Sequence, residues 1–531
     1  MANVGIGLAW HADQAPDRMA IISEHGDRTY AELNARANQM ARVLRRHGIE
    51  RGDGLGLVCA NRPEWVEAYQ GAMRTGVRVT PINWHLTGEE IVYILDDCGA
   101  TALVADTRFA EECSEAARRS PRVVLRLSVG GLIEDFESYD ELLAAEAPDD
   151  IDDPTLGGVM LYTSGTTGRP KGVRRPPEPP TSTAAAAGGG DREGGSDDRT
   201  GAAPESGRSL RAQPGDVHLL TGPAYHAAPL ANSIAAPLAA GITIVMMDRW
   251  DPEETLRLID RHQVTHTHLV PTMFHRLLAL PDEVKDRYDV SSLVHVNHGA
   301  APCPVEVKRK MIEWWGPVIY EYYAATEGGG TTIGPEEWLA KPGSVGRPMP
   351  GRVVEVWGPD DQPLPPGEVG TVYFKAPAAG RFEYHNDPDR TAGAYRGDYF
   401  TLGDLGYFDE DGYLFLTGRS AEVIISGGVN IYPAEVDAVL LEHPAVADAC
   451  TIGVPDNDWG EAVKAVIEPA DDAVADETLA RDLIGHCRDR LAHYKCPRSV
   501  DFVDALPRLD TGKILRRKVR DPYWAGQSSQ I

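Results

Sequence analysis

Runs typical of β-strands alternate with helical stretches through the first 315 residues of the chain. Thr101–Val104 is one such strand-like run, whereas 29–47, Pro63–Met73 and Gly88–Asp97 carry apolar residues at helical spacing. Thr29 is a suitable N-cap for the first of these helices. A chain that alternates strand and helix predicts a mostly parallel sheet covered by helices, which is an α/β fold.

A run rich in glycine and hydroxyl residues, Tyr162–Val173 (YTSGTTGRPKGV), follows the apolar stretch Val159–Tyr162. This order predicts a strand that leads into a loop whose backbone N–H groups, hydroxyls and Lys171 bind a polyphosphate. The run is not a Walker loop, because Arg169 and Pro170 separate Gly168 from the lysine. A polar linker is the alternative for a glycine motif of this kind.

Composition limits the class of protein. The chain has 531 residues, enough for at least two domains, and its net charge of −28 disfavours nucleic acid and anionic membranes as partners. The seven cysteines form no CxxC pair, which argues against a zinc cluster or a disulfide framework. We expect a cytoplasmic protein, since the sequence has neither a signal peptide nor an apolar stretch of membrane-spanning length.

The residue pattern changes at three places along the chain. Residues 174–213 are dominated by Pro, Gly, Ala, Ser and charged residues, which predicts a surface insertion, with a lid over the nucleotide as the less favoured alternative. Short strands and turns near 350–420 predict a small β-rich subdomain. After Arg419 the pattern is that of an α+β unit, with two of its strands predicted at 448–453 and 462–468. We therefore predict an N-terminal domain over 1–418 and a small mobile C-terminal domain over 419–531.

The glycine run and five later segments, in the same order, resemble the adenylate-forming superfamily of acyl-CoA synthetases, adenylation domains and luciferases. The resemblance covers nearly the whole chain outside 174–213 and is greatest to bacterial fatty-acid and bile-acid-type acyl-CoA ligases. The later segments are Pro223–Leu230, Asn297–Pro302, Tyr320–Gly328, Tyr399–Gly406 and, around the C-terminal lysine, Leu506–Ile514.

The resemblance implies a nucleotide site and its residues. Tyr323 would stack on adenine, Thr326 would touch the phosphate, and Asp404 would accept hydrogen bonds from the ribose diol. Glu327 would hold Mg²⁺, which prefers carboxylate and phosphate oxygens. The other implied nucleotide-binding residues are Thr163, Ser164, Gly165, Thr166, Thr167, Gly168, Lys171, Gly299, Ala300, Ala301 and Arg419.

The resemblance also implies the residues of catalysis and of domain movement. Lys513 would enter the active site during adenylation, and His226 would border the carboxylate pocket. Gly427 and Gly428 would line the pantetheine tunnel of CoA after the C-terminal domain rotates. Two positions depart from the family pattern: Ala324 replaces a usual glycine, and Ala421 stands at the hinge in place of Asp or Lys.

These residues predict an ATP-dependent acid–thiol ligase that forms an acyl-AMP intermediate and uses ATP, Mg²⁺ and CoA. Small residues such as Ala231, Ser233 and Gly328 predict room for a bulky, hydrophobic acid. Three alternatives remain open: an enzyme that mainly performs one half-reaction, an acyl-AMP ligase that loads a carrier protein, and a degenerate binding protein. A homodimer is also left open. A metal site at His262, His266 and His268 is disfavoured, because no Cys or carboxylate ligands stand nearby.

Overall fold

A computed structural model describes residues 7–163, 170–175, 213–377, 381–419, 422–426, 429–456, 459–509 and 512–525. Its first unit is a six-stranded, fully parallel sheet in the order β7-β6-β5-β3-β4-β8. The elements up to residue 163 are α1 Gly7–Gln14, β1 Met19–Ser23, β2 Arg28–Thr29, α2 Tyr30–Arg46, β3 Gly54–Val58, α3 Pro63–Met73, β4 Arg78–Pro81, α4 Gly88–Cys98, β5 Ala100–Asp106, α5 Ala110–Arg119, β6 Leu125–Val129, β7 Glu137–Ser138, α6 Tyr139–Ala144, β8 Gly158–Val159 and β9 Leu161–Thr163.

Capping residues define the ends of helices α2 and α4 in this unit. Thr29 and Glu32 form a reciprocal capping box at the start of α2, and Thr87 and Glu90 form another at the start of α4. Helix α4 ends at Gly99, whose φ of 65° is left-handed and suits glycine. Neighbouring residues in the sequence thus determine where these helices begin and end, and the N-cap predicted at Thr29 is present.

The second unit is a 14-stranded sheet that changes from parallel to antiparallel. Strands β1, β12, β11, β13, β14 and β15 are parallel neighbours, and β16, β17, β23, β22, β19 and β18 continue the sheet antiparallel. Its further elements are β11 Val217–Leu220, α7 Ala227–Pro229, α8 Ala236–Ala240, β12 Thr243–Met246, α9 Pro252–His262, β13 His266–Leu269, α10 Pro271–Leu278, α11 Asp282–Lys285, β14 His295–His298, α12 Val305–Trp315, β15 Ile319–Ala325, β16 Gly328–Ile333, α13 Pro335–Ala340, β17 Ser344–Pro348, β18 Val354–Trp357, β19 Gly370–Lys375, α14 Pro388–Ala394, β21 Tyr395–Arg396, β22 Tyr399–Phe408 and β23 Leu414–Arg419.

A small antiparallel sheet carries the end of the glycine run. Strand β10 (Lys171–Arg174) lies between β9 and β20 (Glu383–Tyr384), with Lys171 opposite Thr163 and Val173 opposite Tyr384. The phosphate-loop strands are therefore joined to a segment far along the chain, a pairing that the sequence pattern did not predict.

The C-terminal unit has its own five-stranded sheet and its own apolar core, which includes Ile424, Val436, Val463 and Leu483. Its elements are β24 Ile424–Ser426, β25 Val429–Ile431, α15 Pro433–Leu440, β26 Val446–Asp456, β27 Gly460–Pro469, α16 Glu477–Arg488, β28 Ser499–Phe502 and α17 Arg516–Trp524. The predicted α/β class with a smaller α+β unit is confirmed, although the β-rich region continues the large sheet instead of forming a separate one. The 418/419 boundary stays a prediction.

Candidate active site

The site forms where parallel strands of the large sheet end. Strands β11, β13 and β14 are neighbours, and their carboxyl ends lead into Pro223–His226, Pro271–Thr272 and Gly299–Ala301. The carboxyl edge of an open α/β sheet is where ligands bind, because loops from several strands converge there. The topology therefore brings together two segments that the sequence analysis identified separately, those of His226 and Ala300, and adds Pro271–Thr272.

Lys171, on the small sheet, has a buried ammonium group. Its Nζ is inaccessible to solvent and makes no hydrogen bond with any described residue. The following Gly172 is closely surrounded, since a Cβ there would lie 3.1 Å from Met160 Sδ and 3.2 Å from Tyr162 Cζ. A buried charge without a counter-ion is costly, so this ammonium group is suited to an anionic ligand.

Glu327 lies against the same small sheet. Tyr384 Oη donates a hydrogen bond to Glu327 Oε1 at 3.0 Å, and Arg175 Nη2 donates one to the Thr326 carbonyl at 3.3 Å. Burial raises the pKa of Tyr384 above its ordinary value, and the Glu327 carboxylate raises it further. The phenol therefore remains a hydrogen-bond donor at neutral pH. The two contacts hold Thr326 and Glu327 beside the strand that carries Lys171.

Tyr323 and Asp404 are joined directly. Tyr323 Oη donates a hydrogen bond to Asp404 Oδ2 at 2.6 Å, and the Tyr323 ring lies 5.5 Å from that of Phe374, centroid to centroid. Asp404 is opposite Arg419 in the pairing of β22 with β23. The ring and the carboxylate that the resemblance assigns to adenine and ribose thus lie within hydrogen-bonding distance of each other.

The loop after β14 has an unusual backbone. Ala300 has a φ of 68°, a left-handed conformation that a residue with a Cβ seldom adopts. A Cβ on the preceding Gly299 would lie 2.7 Å from Tyr322 Cζ, so only glycine fits there. Tyr322 is in turn fixed by His268, whose Nε2 lies 2.9 Å from the tyrosine Oη. Strained backbone held by its surroundings is common at ligand sites.

His226 is half-buried at the start of α7, with its ring 4.5 Å from that of Tyr225. A π-helix over Leu230–Ala235 follows α7, a rare conformation that is frequent at functional sites. The segment before His226 is fixed by Asn61, whose Oδ1 accepts from the Ala224 N–H at 2.9 Å. Asn61 Nδ2 also donates to the Gly222 and Met247 carbonyls at 3.0 and 2.9 Å.

A cleft of about 480 Å³ opens beside Glu327. Gly328, Gly329 and Ala324, the residue that departs from the family pattern, line this space. The other lining residues include three cations and four aromatic rings: Arg175, Arg352, Lys375, Phe374, Phe382, Tyr395 and Phe400. The cleft therefore combines positive charge with an apolar surface.

Lys513 belongs to a tight hairpin that reaches the large sheet. The Leu509 N–H donates to the Lys513 carbonyl at 2.8 Å, and the neighbouring Gly512 contacts Thr272 at the start of α10. The hairpin of the C-terminal unit is therefore placed at the carboxyl edge of β13, among the other candidate segments.

Two family models match the chain, one over residues 8–381 (AMP-binding enzyme) and one over 435–513 (AMP-binding enzyme C-terminal domain). The chain belongs to the AMP-binding enzyme family. The family predicted from the sequence is therefore confirmed, together with its enzyme class, an ATP-dependent ligase of an acid to a thiol.

Relatives from this family match along the whole chain. A long-chain-fatty-acid–CoA ligase of Mycobacterium tuberculosis is 31% identical over 537 residues, which is 99% of each protein. A fatty acid–[acyl-carrier-protein] ligase of Streptomyces coeruleorubidus is 29% identical and covers 98% of this chain and 97% of its own. The ATP-bound crystal structure of MatB from Rhodopseudomonas palustris superposes with a TM-score of 0.82, 28% identity and coverage of 98% and 99%.

Some predicted residues of this AMP-binding enzyme lie outside the described part of the chain. They are Ser164, Gly165, Thr166, Thr167 and Gly168 of the phosphate loop, Gly427 and Gly428 of the CoA-binding pair, the hinge residue Ala421 and most of the 174–213 insertion. Their roles stay predictions.

Four residues at the site were missed by the sequence analysis: Tyr384, Arg175, Asn61 and Thr272. Tyr384 stands three residues before Asp387, the N-cap of α14, and nothing local marks its contact with Glu327. Asn61 had a usable signal, because a polar residue follows an apolar strand and precedes a proline-initiated helix. The other two are recognisable only from tertiary contacts.

The described residues place no metal-binding group at the histidines considered in the sequence. His266 and His268 are buried on β13, and the one group of suitable geometry in the described ranges is Glu24, His25 and Asp248. Asp248 there accepts a hydrogen bond from Arg108 Nη1 at 2.6 Å, so the Arg108 guanidinium already pairs with this carboxylate. In the described part of the chain, no helix is long and apolar enough to cross a bilayer.

Proposed function

We propose that this enzyme joins a bulky or hydrophobic carboxylic acid to CoA in two steps, with an acyl-AMP intermediate and a rotation of the C-terminal domain between the steps. The observation that carries the proposal is the buried ammonium group of Lys171, which has no counter-ion among the described residues at the end of the glycine-rich run. ATP would supply the anion that this position lacks.

In the first step, a carboxylate oxygen attacks the α-phosphorus of ATP, the bond from that phosphorus to the bridging oxygen breaks, and pyrophosphate leaves. Attack of one anion on another requires positive charge at the reacting centre, which Lys171 and Lys513 would provide. Glu327, whose Oε1 is oriented by Tyr384, is the residue that would hold Mg²⁺. Bound there, Mg²⁺ would neutralise phosphate charge.

The nucleoside would be bound through both its adenine ring and its ribose. Tyr323 would stack on adenine opposite the Gly299–Ala301 loop, and Asp404 would accept hydrogen bonds from the ribose diol. The hydrogen bond from Tyr323 to Asp404 supports this assignment, because it fixes the ring and the carboxylate relative to each other before the nucleotide binds. Thr326 would contact the phosphate, and Thr163 and Arg419 complete the proposed nucleotide-binding set.

In the second step, the sulfur of CoA attacks the acyl carbonyl, the bond to AMP breaks, and the thiol proton leaves to solvent. The contact of the Lys513 hairpin with α10 supports a state arranged for the first step. The second step would require this hairpin to leave and Gly427 and Gly428 to approach, with Ala421 as the pivot. An enzyme that mainly performs the second step remains an alternative, because Ala324 lines the cleft.

The acid would bind near His226. The π-helix after it carries small side chains, among them Ala231 and Ser233, and Ala236 begins the next helix. Such side chains leave room for a large apolar group, and the name of the long-chain-fatty-acid relative is consistent with such an acid. The acyl-carrier-protein ligase among the relatives favours, as the second candidate, transfer of the acyl group to a carrier protein.

The test is CoA-thioester formation from fatty, alicyclic, steroid and diterpenoid acids with ATP and Mg²⁺, with each acid also supplied as its preformed adenylate. We expect product from the free acid, lost in Lys513→Ala and retained when that variant receives the adenylate. Lys518→Ala, which removes an exposed lysine from α17, is the matched control and should behave as wild type. Absence of a thioester from every acid and every adenylate would contradict the proposal, and product from a carrier protein alone would favour the second candidate.

A further inference from the structure

The hairpin that carries Lys513 contacts the N-terminal unit at one threonine. Thr272 Oγ1 donates a hydrogen bond to the Gly512 carbonyl at 3.3 Å. A Cβ built on Gly512 would lie 2.5 Å from Thr272 Oγ1 and 2.8 Å from Thr272 Cβ. The Gly512 backbone thus lies directly against the Thr272 side chain at the residue before Lys513, and a side chain on Gly512 would prevent this approach.

Gly512 is held on its own side as well. Its φ is 77°, its N–H donates to the Leu509 carbonyl at 2.7 Å, and its carbonyl accepts from Arg508 Nη1 at 2.9 Å. Arg508 forms an ion pair with Asp448 on β26, which ties it to the sheet of the C-terminal unit. Gly512 is therefore tied to the sheet of the C-terminal unit through Arg508, and its carbonyl is shared between Arg508 and Thr272.

Thr272 lies in the N-terminal unit, at the start of helix α10. It is the second residue of α10, directly after β13, whose carboxyl edge faces the active site. Further along the same helix, burial lowers the pKa of His275, and the positive charge of Arg508 in the C-terminal unit lowers it further. One turn of α10 thus forms the surface against which the Lys513 hairpin rests.

We propose that Thr272 is a positioning residue for adenylation: its hydroxyl holds the Gly512 carbonyl and thereby places Lys513 in the active site for the first step. The inference rests on the two-step function proposed above. It follows that the Thr272–Gly512 contact must break when the C-terminal domain rotates, so this contact contributes to the first step only. A single neutral hydrogen bond is strong enough to bias the two arrangements and weak enough to break in each cycle.

The experiment compares the half-reactions in Thr272→Val, which keeps the shape of the side chain and removes the donor. We expect acid-dependent ATP–pyrophosphate exchange to fall about threefold to tenfold, the equivalent of one hydrogen bond. Thioester formation from preformed acyl-adenylate and CoA should stay within about twofold on the same argument. Thr272→Ser keeps the donor and should restore exchange. Thr478→Val, at the second residue of α16 and exposed, is the matched control.

A second measurement does not depend on turnover. Trypsin cleaves after Lys513, and a docked hairpin should resist it, so cleavage at this bond, followed by mass spectrometry, should be faster in Thr272→Val and unchanged in Thr478→Val. Equal loss of both half-reactions, or no change in either exchange or cleavage, would overturn the role of Thr272. If wild-type enzyme activates no acid at all, the proposed function fails, and the cleavage result still decides whether Thr272 holds the hairpin.

Discussion

Tyr384 donates a hydrogen bond to Glu327, with 3.0 Å between Oη and Oε1, and this bond joins the β10–β20 sheet to the carboxylate expected to hold Mg²⁺. Val173, on the strand that carries Lys171, pairs with Tyr384, the residue that orients Glu327. The cation and the carboxylate of the site are therefore linked through the β10–β20 pairing and the Tyr384 hydrogen bond.

Removal of this bond should affect magnesium use in the first step. In Tyr384→Phe the ring stays in place, with Arg390 Cζ 5.2 Å from its centroid, and only the donor to Glu327 is lost. Hydrogen bonds to charged groups contribute about 1.5–3 kcal/mol, so we expect acid-dependent pyrophosphate exchange to fall by about tenfold or more. The Mg²⁺ concentration for half-maximal exchange should rise, measured by titration at saturating ATP.

Tyr413→Phe is the control for this variant, because Tyr413 Oη donates an equivalent hydrogen bond to Glu337 Oε1 at 3.1 Å, away from the cleft. It should leave the magnesium titration unchanged. An unchanged titration in Tyr384→Phe as well would show that the hydrogen bond does not orient the carboxylate.

The buried ammonium group of Lys171 should reduce stability while it serves catalysis. In Lys171→Met, a buried charge without a partner is replaced by an apolar side chain, so the free energy of unfolding should rise by about 1–3 kcal/mol. Pyrophosphate exchange should fall by about a hundredfold to a thousandfold, as for removal of a group that stabilises transition-state charge. Urea denaturation and exchange assays measure the two effects.

Lys308→Met provides the contrast. Lys308 Nζ donates to Glu321 Oε2 at 2.6 Å, and both side chains are buried, so the substitution leaves a buried carboxylate unpaired. The free energy of unfolding should fall by about 3–5 kcal/mol. If Lys171→Met were destabilising as well, the ammonium group would have a stabilising partner in the free enzyme, and its assignment to an anionic ligand would lose its basis.

The sequence predicted local features of the fold well. Helix α3 has the predicted bounds Pro63–Met73, and the cap at Thr29 is present, since both depend on neighbouring residues. Strands β26 and β27 extend beyond the predicted 448–453 and 462–468, to Val446–Asp456 and Gly460–Pro469. Their continuous antiparallel pairing lengthens both strands past the apolar stretch from which they were predicted.

Contacts between distant segments were not predictable in this way. The motif residues Lys171, Glu327 and Asp404 were identified by their order, whereas Tyr384, Asn61 and Thr272 act through tertiary contacts that no periodicity encodes. Tyr384 reaches Glu327 only because β20 pairs with β10, and Thr272 reaches Gly512 only because the C-terminal unit lies against α10. Register and domain placement are global properties of the fold.

Buried histidines should make the large sheet sensitive to acid. Burial lowers the pKa of His268 and His295 to about 4 and that of His218 well below 6.5. Each imidazole is therefore neutral in the folded protein and binds a proton only on unfolding, so its stabilising contribution is complete above about pH 6.5 and is lost as the pH falls towards 4. The free energy of unfolding should fall by up to about 1.4 kcal/mol per pH unit for each such histidine.

Urea denaturation between pH 7.5 and pH 5 measures this slope. His295→Phe keeps a ring stacked on Tyr320, from whose ring the His295 ring lies 4.1 Å, and removes one protonatable group. Its slope should be shallower than that of wild type, whereas His493→Phe, at an exposed position, should match wild type. Identical slopes in all three proteins would mean that His295 is not the source of the acid sensitivity.

Asn61 should determine how the enzyme binds its acid. Its amide donates to the Gly222 and Met247 carbonyls and accepts from the Ala224 N–H, so it fixes the segment that leads to His226. In Asn61→Asp a carboxylate oxygen faces the two carbonyl oxygens in place of the amino group, and repulsion should displace this segment. We expect KM for the acid to rise about fivefold to tenfold, on the scale of one lost hydrogen bond, with KM for ATP nearly unchanged.

Asn38→Asp is the matched control, because Asn38 is also buried and donates to Asp150 Oδ1 at 2.8 Å, far from the acid site. Both variants should have a lower Tm, and only Asn61→Asp should change KM for the acid; a parallel rise in both Michaelis constants would instead assign Asn61 a purely structural role.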